Sequence, residues 1–439
     1  MWTIPLPMQR WVRPAHLLQS NTTTTIMGKK RNFWISLSLI NLCLVAFLGF
    51  CLRSKILFPI PFIDYRNFLS AHSHFAFAGW AGLALVTLLI YDLLPEHRSQ
   101  KKFYEWVLAA LEISSLGMAF TFPFFGYNAL SIFFSTLYIV AVVAFAPVFI
   151  KDLLKGHQHT TVKLLAVSAV SALILSFAGT LGLVYILLSK SGNSILYRDS
   201  IYTFLHFQYN GFFTLSVFAL AFNYVLKKGV RMGRKAGLFA FFLCCSIIPG
   251  LFLSLLWHNS VFVYTMAALG CIFIILSLVY FFGFVRSVRP EQLFPFGMAR
   301  TFWLFCIFSF GLKMLLNAGT IIPQLGNAVY GNRPVIIGFL HLVFLGFLTF
   351  FLLAILIENG YFTKHNKIPA APFFLFSLGI FANEILLMVQ GLGVLFQTNS
   401  TVYTWLLWIS SIILFVGATW IALARLSVVK TALPKKKKP

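Results

Sequence analysis

Residues 71–80 read AHSHFAFAGW, and they open an apolar run that continues to Leu94. His72 and His74 therefore stand at the start of a segment long enough to cross a membrane as a helix. Ionisable side chains inside a membrane are costly, and by default they mark a functional site. A fold assigned to this chain has to provide partners for both imidazoles.

The local pattern of this segment recurs twice further along the chain. Three histidines are each followed five residues later by a glycine, in the pairs His74 and Gly79, His206 and Gly211, and His341 and Gly346. The three pairs lie in apolar segments that are far apart in the sequence. The repetition indicates three helices with equivalent positions in the fold.

The composition is that of a polytopic membrane protein. Of the 439 residues, 59% are hydrophobic and only 10% are charged, whereas a soluble domain has about 25% charged residues. The net charge of +24 does not indicate nucleic-acid binding, because the basic residues lie in short loops between apolar runs. The partner that this composition predicts is the lipid bilayer.

Twelve apolar segments of about 20 residues predict an all-α bundle of twelve transmembrane helices. We place them at about 33–51, 71–93, 103–121, 127–150, 164–188, 201–226, 237–257, 261–285, 300–323, 334–357, 370–393 and 402–426. Residues 1–32 are expected to form a disordered tail, residues 33–426 the membrane domain and residues 427–439 a basic tail.

Lysine and arginine are concentrated in alternate loops, which places both termini in the cytoplasm. We expect the membrane to be a bacterial cytoplasmic membrane. With this orientation, His72, His74, His206, His258 and His341 all lie in or near the outer leaflet. A cofactor layer in the outer half of the bilayer would explain their common depth.

Neutral imidazole is a common ligand of haem iron and of copper. His72 and His74 are two residues apart, so they point to nearly opposite sides of a helix and only one should face the bundle core. The repeated spacing favours His74 as the equivalent of His206 and His341. The six cysteines form no CxxC or CxxCH pattern, which argues against a thiolate metal site or a covalently attached haem.

Other side chains in the apolar segments offer further chemistry. His206 and His258 could together hold copper, although each could also be a hydrogen-bonded histidine at the membrane interface. Glu112, Lys313 and Glu384 are candidates for a proton path, because ionisable residues within a membrane mark such paths by default. Local pairing with carbonyls or water is the alternative for these three.

The chain resembles subunit I of the haem-copper oxidases, the superfamily of cytochrome oxidases and nitric oxide reductases. The resemblance lies in twelve spans, both termini inside and histidines on spans 2, 6, 7 and 10. It implies three four-helix arcs in a pseudo-threefold arrangement. It also implies that His72 and His341 are the two ligands of a low-spin haem, and that His206 and His258 match copper ligands.

The chain departs from the family pattern at the oxygen-reducing centre. Phe339 stands where the family has the histidine ligand of the second, high-spin haem, and Asn259 stands where it has a further copper ligand. Gln208 replaces a proton-delivering glutamate, and Asn210 lies where a tyrosine is expected. The low-spin haem site can therefore survive while the binuclear centre is incomplete.

From these residues we expect a divergent relative of the oxidases that binds one b-type haem, with copper as a second possible cofactor. Its role would be electron transfer or the sensing of a redox state or a gas, with a cytochrome, a quinol or other respiratory subunits as partners. Arg198 and Arg333 are candidate partners of the haem propionates. The alternatives are a cofactor-free transporter or copper-handling protein on the same fold, and a structural or assembly subunit.

Overall fold

The computed structural model describes residues 16–288, 293, 297–329, 332–363, 367–395 and 400–432. Within these ranges the protein is helical and has no β-sheet, so the predicted all-α polytopic class is confirmed. Residues 1–15 and 433–439 of the predicted tails lie outside the described residues.

In the described part of the chain, eleven unbroken helices are long and apolar enough to cross a membrane, and a bent pair makes twelve if it counts as one span. The unbroken helices are α1 (His16–Leu57), α2 (Tyr65–Leu93), α3 (Lys102–Phe125), α4 (Ala129–Leu154), α5 (Thr160–Ser189), α6 (Ser194–Lys227), α8 (Val261–Ser287), α9 (Met298–Gly319), α10 (Arg333–Glu358), α11 (Ala370–Leu395) and α12 (Thr401–Ala432). The bent span α7 consists of Arg234–Cys245 and Ile247–Ser254, which meet at 44°. Helix α1 begins inside the segment 1–32 for which we predicted a disordered tail, and α12 extends into the predicted basic tail.

The bundle has two ends. We call the end with residues 58–64, 126–128, 190–193 and 255–260 the histidine end, because the embedded histidines lie towards it. The opposite end, with residues 94–101, 155–159 and 228–233, is called the basic end. Odd-numbered helices run from the basic end to the histidine end.

Helices α2, α6 and α10 form the interior of the bundle. In their apolar stretches 83%, 94% and 78% of the residues are buried, compared with 33–61% in the other eight unbroken helices. The innermost helices are therefore every fourth one, in the order that the repeated histidine–glycine pattern predicts.

Each of these inner helices contains a π-helical turn next to its histidine. The turns comprise residues Ala76–Gly82, Phe207–Phe213 and Leu342–Thr349, and they begin one or two residues after His74, His206 and His341. A π-turn leaves backbone carbonyls without their usual partners, and such turns are frequent at functional sites. Thr214 Oγ1 donates to Tyr209 O (2.5 Å), and Thr349 Oγ1 donates to Phe344 O (2.8 Å), so the hydroxyls satisfy equivalent carbonyls.

Helix α12 packs against α1 and brings the two ends of the membrane domain together. Cys43 Sγ lies 3.0 Å from Thr419 Oγ1, and Trp408 Nε1 donates to Ser54 Oγ at 3.0 Å. The ring of Phe415 stacks on that of Phe50 with the centroids 6.2 Å apart. These contacts lie in the second half of α1, between Cys43 and Ser54.

Polar contacts connect the helices at the basic end. Arg31 binds Asp92 (2.6 Å) and donates to the hydroxyl of Tyr361 (2.5 Å), while Arg425 donates to the carbonyl oxygen of Tyr361 (2.7 Å). Burial raises the pKa of the Tyr361 phenol, so it remains a neutral hydroxyl that can accept from Arg31. This cluster joins α1, α2, α12 and the segment after α10.

Candidate functional site

His341 and His72 are held in the same way by backbone carbonyls. His341 Nδ1 donates to Ile337 O, one turn earlier on α10, at 2.8 Å. His72 Nδ1 donates to Val45 O of α1 at 3.0 Å. These bonds place the proton on Nδ1, and no partner of either Nε2 occurs in the described part of the chain. Metal-binding histidines usually show this arrangement, in which one ring nitrogen is fixed and the other presents its lone pair.

The two imidazoles lie close enough to interact electrostatically. The positive charge of Arg53 on α1 also acts on both of them. A Cβ at Gly49, one turn before Arg53, would lie 3.2 Å from the His72 ring. The glycine therefore allows α1 to approach that ring closely. Helices α1, α2 and α10 thus bring His72, His341 and Arg53 into one site towards the histidine end.

Arg333 lies at the same end, at the start of α10. Its guanidinium carbon is 4.9 Å from the ring centroid of Tyr65, and Tyr65 also interacts with Arg53. Neither arginine has an ion pair with a carboxylate among the described residues. Two guanidinium groups without carboxylate partners can bind the carboxylates of a ligand, whose geometry they match.

His74 points away from this site towards α3. Its ring centroid lies 4.7 Å from that of Phe122 and 6.0 Å from that of Tyr127, and its Nδ1 donates to Ser70 O at 2.8 Å. Of the two histidines on α2, His72 is therefore the one that lies near His341. In the repeated histidine–glycine pattern, His74 is still the equivalent of His206 and His341, because Gly79 follows it by five residues.

Helix packing is looser around the histidine pair than in the rest of the interior. No residue of Arg333–His341 is fully buried, and only Ala71 and Phe75 are buried in Tyr65–Phe75. On the same two helices, every residue of Leu83–Leu88 and of Phe350–Ile357 is buried. The site combines two imidazoles that have available Nε2 atoms, two guanidiniums without carboxylate partners among the described residues, and incomplete packing. These features fit a haem.

No known family model matches the chain, and no curated protein matches it. Membership of the haem-copper oxidases is therefore a proposal that depends on the residues themselves.

The predicted copper pair is engaged in other contacts. His206 Nε2 donates to Ile247 O (2.8 Å), and its Nδ1 accepts from Asn210 Nδ2 (3.2 Å), so both ring nitrogens are hydrogen-bonded. His258 is exposed at the histidine end and binds Asp199 Oδ2 at 2.8 Å. The described residues contain no group of three or more His, Cys, Asp and Glu side chains placed to hold a metal ion. Copper binding remains a prediction.

Phe339, which stands where the resemblance would imply a second haem ligand, packs against an aromatic neighbour. The ring of Phe339 lies against that of Tyr209, with the centroids 5.5 Å apart. Gln208 donates to Ser176 Oγ at 3.0 Å. The phenyl ring of Phe339 cannot ligate iron.

The three proton-path candidates lie in different parts of the bundle. Glu112 Oε2 accepts from Asn41 at 2.8 Å, while its Oε1 is buried without a partner in the described structure. Glu384 is half-buried and accepts from its neighbour Asn383 at 3.2 Å. Lys313 is completely buried and lies near His206. Among the described residues, no hydrogen bond or ion pair joins one of the three to another.

Arg53 could not be recognised from the sequence as part of the candidate site. It stood out only as a basic loop residue, but its charge acts on both His72 and His341. The guanidinium carbon of Arg198 lies 4.4 Å from the ring centroid of Trp257, and its role as a propionate partner remains a prediction.

Proposed function

We propose that this protein is a membrane electron carrier that binds one low-spin b-type haem between His72 of α2 and His341 of α10. The observation that carries the proposal is the pair of imidazoles held by backbone carbonyls through Nδ1, with both Nε2 atoms available. Arg53 and Arg333 would bind the propionates. A divergent oxidase-like subunit without an oxygen-reducing centre is the class of protein that this site supports.

The chain's own residues would define what the haem can do. Haem supplies one-electron chemistry when it is bound, and its iron potential depends on the axial ligands and the surroundings. His72 and His341 would both hold the haem iron, so this site would support one-electron chemistry rather than oxygen binding. Phe339 prevents ligation of a second iron nearby. The residues therefore favour transfer or sensing of single electrons over reduction of oxygen.

The decisive experiment is a reduced-minus-oxidised visible spectrum of the purified protein. We expect a haem b band that is lost in His72→Ala and in His341→Ala, because each change removes an axial ligand. His74→Ala is the matched control on the same helix and should keep the band, since His74 packs on Phe122.

Each other outcome of this experiment favours a different reading. A colourless protein that contains bound copper would support the copper-handling alternative, and a protein with neither cofactor would leave a transporter or an assembly subunit. A band that survives in His72→Ala and disappears in His74→Ala would show that the ligand on α2 is His74 and not His72.

The propionate partners can be tested separately through the haem midpoint potential. A positive charge near the haem destabilises the oxidised iron, which carries one more positive charge than the reduced iron. Removal of an arginine should therefore stabilise the oxidised form. We therefore expect Arg53→Leu and Arg333→Ala each to lower the midpoint potential. Arg198→Ala is the control and should leave the potential unchanged, because Arg198 stacks on Trp257. Unchanged potentials in all three variants would contradict these roles.

A further inference from the structure

An open groove lies along α8, in the half of the bundle that is nearer the basic end. Most of its lining comes from α8, while α7 contributes Lys235 and α9 contributes Gly311 and Leu315. Its volume is about 670 Å³, which lies within the usual range of about 300–1,000 Å³ for ligand sites. The groove is therefore large enough to bind a specific ligand.

The walls of this groove are almost entirely apolar. Ile275, Val279 and Phe282 follow one another at spacings of three and four, so they lie on one face of α8. They are 44%, 60% and 40% exposed, because no other part of the described chain covers this face. A surface of this kind within a membrane contacts hydrocarbon chains.

The length of the groove matches one leaflet of a bilayer. Ile275 and Arg286 mark its two ends on α8, and they are about 16 Å apart along the helix axis. One leaflet contributes about 15 Å, half of the hydrocarbon thickness. An acyl chain whose headgroup lies beside Arg286 can therefore follow the groove along its full length.

Two glycines keep the groove open. A Cβ at Gly311 would lie 3.6 Å from the ring of Phe282, and a Cβ at Gly283 would lie 3.4 Å from Cδ of Lys235. Without a side chain at Gly283, the stem of Lys235 lies across α8, and its Nζ donates to Gly283 O at 3.3 Å. The ammonium group of α7 is thereby held over the end of the groove.

Two cations stand together at that end. Lys235 Nζ is bonded to Gly283 O, and Arg286 follows Gly283 by one turn of α8. Both side chains are exposed, and neither has an ion pair with a carboxylate among the described residues. One carbonyl leaves the ammonium with donors to spare. An ammonium beside a guanidinium suits the oxygens of a phosphate group.

The charge around this end of the groove is strongly positive. Helices α7, α8 and α9 contain no aspartate or glutamate, and Glu291, between α8 and α9, lies outside the described residues. Arg234 and Arg300 are exposed at the same end of the bundle. Such a field attracts anions, whereas a zwitterionic headgroup would bring a further cation towards Lys235 and Arg286.

We propose that this groove binds one anionic phospholipid. Its phosphate group is held by Lys235 and Arg286, and one acyl chain lies along Ile275, Val279 and Phe282. Basic pockets between transmembrane helices are known to bind anionic headgroups in this way. The headgroup charge selects this lipid, in contrast to the lipids that merely cover the rest of the apolar surface. The proposal does not depend on haem binding.

Native mass spectrometry of the full-length protein, titrated with phosphatidylglycerol or with phosphatidylcholine, tests the headgroup. We expect one phosphatidylglycerol to bind more tightly than phosphatidylcholine. In Lys235→Gln/Arg286→Gln its affinity should fall about 25-fold, since each basic residue near an anionic lipid accounts for about fivefold. Lys151→Gln/Lys155→Gln is the matched control, because both lysines are exposed at the same end and do not line the groove.

Two results of this titration would overturn the proposal. Equal binding of the two lipids would make the groove an ordinary part of the lipid-covered surface. An unchanged affinity of Lys235→Gln/Arg286→Gln for phosphatidylglycerol would show that these two cations do not hold the headgroup.

Filling the groove tests the place of the acyl chain. We expect Val279→Trp to abolish the preference for phosphatidylglycerol, because the indole occupies the middle of the groove. Val143→Trp is the matched control, since Val143 is 50% exposed on α4 and does not line the groove. Gly311→Leu provides a second test if Val279→Trp does not fold.

The filled variants also distinguish this lipid from other occupants. Binding that survives in folded Val279→Trp or Gly311→Leu would refute the acyl-chain position and leave a site for the phosphate group alone. A lipid-free dimer that dissociates in these variants would show that a second copy of the chain occupies the groove, which also overturns the proposal.

Discussion

At the scale of single residues, His72 and His74 show what a sequence can and cannot decide. The two-residue spacing correctly predicts that the rings diverge, since helical side chains two apart point in different directions. The choice between them depends on Val45 and Phe122, which lie on other helices. Spacing along one helix carries no information about such neighbours.

The same limit explains why Arg53 was missed. The sequence places it after an apolar span, where a basic residue usually serves only to orient the helix. In the fold, the close approach that Gly49 allows brings α1 next to α2. A charge then acts on histidines that are distant in sequence. The sequence indicated which types of residue could form this site, but not which individual residues come together in the fold.

Asp152 gives a stability prediction at this scale. Its buried carboxylate accepts hydrogen bonds from Arg98 (3.0 Å), Lys101 (2.5 Å) and Tyr104 (2.8 Å). Asp152→Asn would leave both cations without a counter-charge, and we expect it to lower the free energy of unfolding by about 2 kcal/mol. Unfolding in mixed micelles measures this change.

Glu96→Gln is the control for Asp152→Asn. Glu96 lies at the same end of the bundle but is exposed, and among the described residues its side chain accepts a hydrogen bond from the nearby Gln100 at 3.3 Å. We expect no measurable loss of stability. Equal effects of the two variants would show that the Asp152 cluster does not stabilise the fold.

At the scale of helices, the repeated histidine–glycine pattern predicted three equivalent positions, and the burial of α2, α6 and α10 agrees with it. The π-turns could not be predicted, because a π-turn depends on what its freed carbonyls can bind. At Tyr209 the donor Lys313 comes from α9, more than a hundred residues away in sequence. The glycines of the pattern also have a packing role that the sequence did not reveal.

Gly211 offers a test of that role. An added Cβ would overlap the Cβ of Ala172 on α5, and neither of these backbone-anchored atoms can rotate away. We expect Gly211→Ala to destabilise the protein by about 1–3 kcal/mol, the usual cost of overpacking. The shift of the thermal unfolding midpoint in detergent measures it.

Gly237 in α7 is the matched control. A Cβ there would meet nothing within 4 Å, so Gly237→Ala should be neutral or slightly stabilising, because alanine favours the helix. A midpoint in Gly211→Ala that equals the native one would mean that α5 and α6 pack less closely than described.

At the scale of the whole molecule, helix number and class followed from hydrophobicity alone, because lipid allows few other solutions for the backbone. Among the described spans, α7 is the one that is broken, since it bends by 44° before Ile247. The bend brings Ile247 O to His206, a tertiary contact that has no signature in an apolar segment.

The orientation of the molecule is a prediction that fusion proteins can test. The distribution of lysine and arginine places the basic end in the cytoplasm. We therefore expect a fluorescent protein fused to the C-terminus to fluoresce and alkaline phosphatase fused there to be inactive. Alkaline phosphatase inserted at residues 190–193 should be active. The reverse pattern would show that the bundle has the opposite orientation, with the histidine site on the cytoplasmic side.

The contact between α1 and α12 has a consequence for biogenesis. The first helix leaves the ribosome long before its final neighbour has been synthesised, so Arg31 can meet Asp92 early but Ser36 must wait for Arg425. During translation one flank of the nascent helix faces lipid or an insertase. The packing of α12 against α1, and with it the protection of that flank, therefore comes late in the assembly of the bundle.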